Sequence, residues 1–121
     1  MVLALVDDLM FRSKIKFAAT QAGVTVLFYG SKDGALSAMR TEAPALVILD
    51  LNSPRTDPIG IVTAMKSDPA LASVPTVGYV SHVDTATIDA ARAAGVDDVL
   101  ARSAFTVKLA EIIGGSTTRR P

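Results

Sequence analysis

The sequence predicts an α/β fold in which five parallel strands form one doubly wound sheet between two layers of helices. Short runs rich in valine, leucine and isoleucine recur five times, and amphipathic stretches separate them. The runs at 2–6 and 45–50 lead abruptly into aspartates, which is typical of strands buried on both faces. Because strand and helix alternate, right-handed crossovers and parallel pairing are favoured.

The element bounds follow from these patterns and from residues that begin or end helices. Gly23 and Gly95 fall at expected helix C-caps, where glycine adopts the left-handed conformation freely. Ser31 and Asp84 fall at expected N-caps. Strands are predicted at 2–6, 24–28, 45–50, 75–80 and 97–101, and helices at 9–22, 32–42, 56–67, 84–94 and 104–113. Core stripes are expected on the first and last helices, at Phe11, Ile15, Ala18 and Ala22 and at Phe105, Leu109 and Ile112.

Length and composition narrow the class of protein. The 121 residues suit one domain, expected at 1–114, with a polar, disordered tail at 115–121. We expect a cytoplasmic protein without membrane contact, because no apolar stretch approaches the roughly 20 residues that span a bilayer and no signal peptide is evident. The absence of cysteine excludes disulfides and cysteine metal sites. Twelve basic and twelve acidic residues balance, so nothing favours a nucleic-acid partner.

Three aspartates follow two predicted strands at the ends where parallel sheets gather their chemistry. Asp7 and Asp8 follow the first strand, and Asp50 ends the third. Two carboxylates about 5 Å apart repel by about 3 kcal/mol at an effective dielectric near 20. The three acids therefore need a cation or a proton. Mg²⁺ is suited, because it takes one or two carboxylates and accepts waters and phosphate oxygens as its other ligands.

Further motifs complete a family resemblance. Pro75 opens the fourth predicted strand, and Ala94-Gly95-Val96-Asp97-Asp98 leads into the fifth. With the acids, these residues resemble the receiver domain of the bacterial two-component response regulators, over residues 2–113. The resemblance implies a flavodoxin-like, receiver-like (βα)5 fold.

The resemblance also implies a phosphorylation site. In that family, an Asp after the third strand accepts phosphate from a histidine kinase, and Asp50 matches it. The metal ligands implied are Asp7, Asp8, Asp50 and the backbone carbonyl of Asn52. The implied partner is a protein: a histidine kinase, a phosphotransfer protein or a downstream effector.

Two positions that relay phosphorylation in the family are apolar here. The Thr/Ser position, thirty residues after Asp50 and fifteen before Gly95, is Val80. A one-residue bulge would instead present the hydroxyl of Ser81. The aromatic switch position is Val99. We therefore expect a receiver-like fold with an impaired switch.

The family's lysine position, seven residues after the glycine, holds Arg102. Ser103 follows it in place of the family's proline, so the usual cis-proline is absent. One interpretation is that Arg102 contacts the phosphoryl group as the lysine does. Another is that its planar guanidinium pairs with Asp50 and satisfies the acids without metal or phosphate.

Simpler interpretations compete with these roles. Asp7 and Asp8 would then be solvated acids, Asp50 would form a turn ahead of Asn52, and Arg102 would lie on the surface. The lone histidine, His82, is more typical of a loop hydrogen-bonder than of a catalytic base.

Three functional hypotheses follow. The leading one is a stand-alone receiver-like signalling module that acts through protein–protein contact, with phosphorylation at Asp50 reduced or absent. The alternative is a conventional single-domain response regulator phosphorylated on Asp50 with Mg²⁺, in which Arg102 replaces lysine. The third, an enzyme or small-ligand binder using His82, Asp50 and Asp8, rests only on the ligand preference of such sheets. Beyond phosphotransfer to its own Asp50, no enzyme activity is expected.

Two surfaces are candidates for protein contact. Met10, Lys14 and Phe17 share a face of the first helix, which is where phosphodonor proteins dock in the family. Small residues on the fourth helix would allow a homodimer through the face that runs from the fourth to the fifth helix.

Overall fold

Strands and helices alternate along the whole of the described chain. The structure is a computed structural model and describes residues 1–53, 55–81 and 84–115. The strands are β1 (Val2–Leu5), β2 (Val26–Phe28), β3 (Leu46–Asp50), β4 (Thr76–Val80) and β5 (Asp98–Ala101). The helices are α1 (Leu9–Ala22), α2 (Lys32–Thr41), α3 (Pro58–Lys66), α4 (Thr85–Ala94) and α5 (Arg102–Gly115).

The five strands form one parallel sheet in the order β2-β1-β3-β4-β5. The predicted doubly wound (βα)5 fold is therefore confirmed. Every residue of β1, β3 and β4 is buried, because helices cover both faces of the sheet there. The strand order changes direction between β1 and β3, and sheets of this kind bind ligands at such a switch point.

The predicted caps bound the helices. Gly23 and Gly95 end α1 and α4 in the left-handed region, with φ of 68° and 108°. Ser31 and Asp84 begin α2 and α4, and each side chain accepts the backbone N–H three residues further on. Local sequence signals thus set these four helix ends.

Two apolar layers enclose the sheet. The layer under α1 and α5, here the aromatic layer, contains Phe11, Tyr79 and Phe105. The layer under α2, α3 and α4, here the aliphatic layer, contains Leu, Ile, Val, Met and Ala side chains among its fully buried members. On α1 the buried stripe continues from Ile15 to Ala19, whereas the predicted Ala18 is half-buried and packs at its edge. The predicted Ala22 is exposed at the end of the helix.

Helix α5 follows β5 directly. It begins at Arg102, two residues earlier than predicted, so this side chain lies in the first helical turn. The predicted stripe of Phe105, Leu109 and Ile112 is buried. Of the expected tail, residues 116–121 lie outside the described part of the chain. Within the described ranges, no helix has the length and apolarity needed to cross a bilayer.

Candidate functional site

The three predicted acids share the rim at the carboxyl ends of β1 and β3. Leu5 of β1 is in register with Leu49 of β3, so Asp50 and the segment after β1 emerge side by side. Asp50 is the last residue of β3 and only 5% exposed, while Asp7 and Asp8 are half-buried. The rim is thus acidic, with Asp50 shielded from water and the other two acids partly accessible to it.

Asp7 and Asp8 each accept hydrogen bonds through one carboxylate oxygen. The Ser53 hydroxyl donates to Asp7 Oδ2 over 2.7 Å, which links the segments after β1 and β3. Asp8 is the N-cap of α1, because its Oδ1 accepts the backbone N–H groups of Met10 (2.8 Å) and Phe11 (3.2 Å). Asp7 is therefore held by the segment after β3, and Asp8 by the first turn of α1.

The carboxyl group of Asp50 is buried among like charges. Burial, the largest influence, raises its pKa, whereas the backbone N–H of Asn52 and the charge of Arg102 lower it. The charges of Asp7 and Asp8 raise this pKa further, and the net shift is upward. The Asn52 N–H donates to Asp50 Oδ1 over 3.0 Å. The ionised carboxylate is thus incompletely compensated, and a cation would stabilise it.

The oxygen atoms at this rim suit a small divalent cation. Within the described ranges, no three Asp, Glu, His or Cys side chains are grouped closely enough to form a ready-made metal cluster. Mg²⁺ does not require one, because it binds through one or two carboxylates and fills its other positions with water and phosphate oxygens. A shielded carboxylate of raised pKa beside two further acids fits that chemistry.

Arg102 lies against aromatic rings. Its guanidinium carbon is 5.4 Å from the ring centroid of Phe11 and 5.9 Å from that of Tyr79. The ion pairs among the described residues are Lys32–Asp57 and Arg40–Asp68. The direct Arg102–Asp50 pair considered from the sequence is therefore not formed. The guanidinium instead lies within cation–π distance of these two rings, and its charge still lowers the pKa of Asp50.

The side chain of Asn52 links two loops of the rim, which the sequence analysis missed. Its Oδ1 accepts the backbone N–H of Ser81 (2.8 Å), and its Nδ2 donates to Asp84 Oδ2 (2.9 Å). Hydrogen bonds from Thr87, and a smaller one from Asn52, lower the pKa of Asp84, the N-cap of α4. The segment that follows Asp50 is thus tied directly to the start of α4. The sequence predicts a role only for the backbone carbonyl of Asn52.

Comparison with solved structures places this geometry in a known fold. No protein-family model and no curated protein matches the chain. The signal receiver domain of a histidine kinase from Syntrophus aciditrophicus matches with a TM-score of 0.83 and 19% identity, over 97% of this chain and 89% of that one. The chain has the receiver fold. The phosphorylated cyanobacterial phytochrome response regulator RcpA matches with a TM-score of 0.77 and 24% identity, and the Mn²⁺-bound response regulator Rcp1 with 0.75 and 18%. Each of these two alignments covers 94% of this chain and 88% of the matched protein.

The two residues predicted to replace the family's switch residues both contact the aliphatic layer. Val80, the last residue of β4, is fully buried in the aliphatic layer. Val99 of β5 is partly buried and packs against that layer. Ser81 directs its backbone N–H to Asn52. His82 lies outside the described residues, so its predicted role stays a prediction.

Tyr79 is a second residue at this site that the sequence analysis missed. It is the register partner of Asp50, one strand away, and its ring is fully buried. A tyrosine in a buried strand reads simply as a core residue. Strand alternation carries the signal that was overlooked, because it puts Tyr79 on the sheet face opposite to Val80.

The segment after Asp50 rests closely on the neighbouring strand. Gly78 of β4 lies under Leu51, and a Cβ at this glycine would come within 2.6 Å of the leucine side chain. The absence of a side chain at Gly78 lets Leu51 turn inward, where it is buried. The turn from Asp50 to Asn52 is thereby held close to β4.

Proposed function

We propose that the chain is a receiver-like signalling module that acts through protein contacts and whose Asp50 accepts a phosphoryl group with reduced efficiency. The observation that carries this proposal is the incompletely compensated acidic rim. Asp50 is buried beside Asp7 and Asp8, its pKa is raised, and Arg102 rests on aromatic rings rather than on the carboxylate. A site locked by an internal ion pair would need neither metal nor phosphate, and this site lacks that pair.

The cation would be held by Asp7, Asp8, Asp50 and the backbone carbonyl of Asn52. When bound, a divalent ion supplies positive charge to the carboxylates and to the oxygens of an incoming phosphoryl group. The Mn²⁺ in the structure of Rcp1 supports this choice of ion class. Here Ser53 and the first turn of α1 position Asp7 and Asp8 for that role.

The transfer step belongs to Asp50. A carboxylate oxygen of Asp50 attacks the phosphorus of the phosphodonor, and a new phosphorus–oxygen bond forms as the bond to the donor's leaving group breaks. The leaving group departs with the electron pair of that bond. With acetyl phosphate as donor, acetate leaves and no further reactant is needed. The phosphorylated state of RcpA supports assigning this chemistry to the fold.

The reduced efficiency follows from the aliphatic side of the rim. Val80 provides no hydroxyl for a phosphoryl oxygen, because it is a hydrocarbon buried among others. The loss of one hydrogen bond to a charged group such as phosphoryl destabilises the phosphorylated state by about 1.5–3 kcal/mol. Arg102 remains close enough to influence the charge of Asp50.

The output would run through Asn52 rather than through a hydroxyl–aromatic relay. Asn52 connects the phosphoacceptor turn to Ser81 and to the N-cap of α4, Asp84. A change at Asp50 is therefore transmitted to α4 by hydrogen bonds already in place. The partners would be a histidine kinase or phosphotransfer protein at α1, where Met10 and Phe17 are 65% and 68% exposed, and an effector or second copy on the α4–α5 face.

Incubation with acetyl phosphate and Mg²⁺, followed by intact-protein mass spectrometry, tests the proposal. We expect a gain of one phosphoryl group that requires Mg²⁺ and is abolished by Asp50→Asn. Asp57→Asn, which changes an aspartate outside the acidic trio, serves as the control. If the wild-type protein gains no mass at high donor concentration, the phosphoacceptor role is wrong and the unphosphorylated module is left.

A further inference from the structure

Tyr79 and Asp50 project from adjacent points on the same face of the sheet. Their Cα atoms are register partners in neighbouring parallel strands. Ile48 of β3 and Val77 of β4, two residues earlier in each strand, both lie in the aromatic layer. Because strand side chains alternate, Asp50 and Tyr79 share that face, about 4.8 Å apart at the backbone.

The hydroxyl of Tyr79 is buried without a hydrogen-bond partner among the described residues. The rest of the Tyr79 side chain is fully buried as well. Buried tyrosine hydroxyls usually form a hydrogen bond, and a buried hydroxyl without one costs about 1–3 kcal/mol. An unpartnered hydroxyl on the sheet face that carries Asp50 is suited to a partner that arrives with a ligand.

The ring that carries this hydroxyl is rigidly held. It stacks on Phe11 and on Phe105, with centroid distances of 4.7 Å in both pairs. Burial is the main cause that raises the pKa of Tyr79, and the negative charge of Asp50 is the next. The phenol therefore stays protonated, as a donor must, and lies within electrostatic reach of the carboxylate.

We propose that the Tyr79 hydroxyl donates a hydrogen bond to an oxygen of the phosphoryl group on Asp50, in place of the hydroxyl missing at Val80. This inference rests on the proposed function, because it requires phosphate on Asp50. The donor would come from the aromatic layer, where Arg102 already lies over the rings of Phe11 and Tyr79. The ligand is an acyl phosphate, contacted from the face opposite to Val80.

The test is titration with beryllofluoride, a stable mimic of the aspartyl phosphate, in the presence of Mg²⁺. Tyr79→Phe removes only the hydroxyl and keeps the stacked ring. We expect Tyr79→Phe to bind the mimic about tenfold more weakly than the wild type. Tyr29→Phe is the matched control, because Tyr29 packs against the aliphatic layer, and it should bind as the wild type does.

A second readout separates a hydrogen bond from altered packing. The chain has two tyrosines, so ¹³Cζ-labelled tyrosine gives two signals, which Tyr29→Phe assigns. Binding of the mimic to the wild type should shift the Tyr79 signal and leave the Tyr29 signal in place. Weaker binding by Tyr79→Phe without that shift would assign the loss to packing and overturn the hydrogen bond.

The remaining outcomes distinguish the two proposals. If the wild type binds the mimic and Tyr79→Phe binds it equally well, the role of Tyr79 is wrong and phosphorylation of Asp50 stands. If the wild type does not bind the mimic in Mg²⁺, phosphorylation of Asp50 and the role of Tyr79 are both wrong.

Discussion

The two sides of Asp50 differ in chemistry. On the aromatic side, Phe11, Tyr79 and Phe105 stack in a continuous group beneath the guanidinium of Arg102. On the aliphatic side, Val80 offers only methyl groups to the rim. A positive charge and an unpartnered hydroxyl donor therefore lie on the aromatic side. The aliphatic side keeps its connection to α4 through the exposed Asn52.

Removal of a buried ring from the aromatic side should have the largest effect on stability. Phe105→Ala removes a fully buried ring that stacks on Tyr79 and leaves a cavity. We therefore expect the free energy of unfolding to fall by about 3–5 kcal/mol. Urea denaturation measures it. Val107→Ala on the same helix is the control, since Val107 is 83% exposed and should change stability by no more than about 0.5 kcal/mol. Equal effects of the two substitutions would contradict the assigned packing.

Restoring a hydroxyl on the aliphatic side is expected to cost stability and improve phosphate binding. Val80→Thr buries a hydroxyl in an apolar layer, so the free energy of unfolding of the ligand-free protein should fall by about 1–3 kcal/mol. Beryllofluoride with Mg²⁺ should bind about tenfold more tightly, because the hydroxyl gains a charged acceptor. Thermal melts and mimic titration measure both effects.

Val47→Thr is the matched control for that substitution. Val47 is fully buried in the same layer but lies at the other end of β3 from the rim. It should show the loss of stability without the gain in binding. A similar gain from Val47→Thr would mean that the effect does not come from a hydroxyl beside Asp50.

The hydrogen bonds of the Asn52 side chain should contribute less to stability than the buried residues above. Asn52→Ala removes two hydrogen bonds, to Ser81 and Asp84, so we expect a loss of about 1–2 kcal/mol and faster amide exchange in the first turn of α4. Thr41→Ala removes a hydroxyl that bonds only within α2 and should leave exchange in α4 unchanged. Unchanged exchange in α4 for Asn52→Ala would remove the proposed route from Asp50 to α4.

The smallest effect concerns the pH dependence of Asp50. Its pKa is raised in the folded protein, so the stability of the wild type falls as pH rises from the ordinary Asp range through that raised pKa. Asp50→Asn should therefore stabilise the protein at pH 7 by about 1 kcal/mol. The gain should disappear at pH values below the ordinary Asp range, where the carboxyl is protonated in both states.

For Asp84→Asn, we expect the opposite dependence of stability on pH. The pKa of Asp84 is lowered in the folded protein, so its contribution is present above the ordinary Asp range and is lost as pH falls. Stability measured across acid pH for both variants checks the two signs. A gain for Asp50→Asn that persists at low pH would contradict a charge-based origin.

Most of the fold could be predicted because its signals are local. Apolar runs, the cap residues Gly23 and Gly95, and helical spacing act within a few residues, and each element lies where the sequence puts it, with bounds shifted by up to two residues. The start of α5 was misplaced because Arg102 continues directly from β5.

The site was less predictable because its contacts are not local. Arg102 was considered as a partner of Asp50, but the stacked rings beneath it become apparent only when α1, β4 and α5 are packed together. The Asn52–Asp84 hydrogen bond spans two loops separated by 32 residues, and no local motif encodes it. The unpartnered hydroxyl of Tyr79 likewise depends on every neighbour of one atom.

The most direct test of the central claim is a two-dimensional NMR titration of ¹⁵N-labelled protein with Mg²⁺ and then with beryllofluoride. An incompletely compensated acidic rim predicts that the amide signals of Asp8 and Asp50 shift with Mg²⁺. Adding the mimic should then shift Tyr79 and Ser81, one on each side of the site. A spectrum that neither Mg²⁺ nor the mimic changes would contradict the account, and would show that the acids are satisfied within the fold.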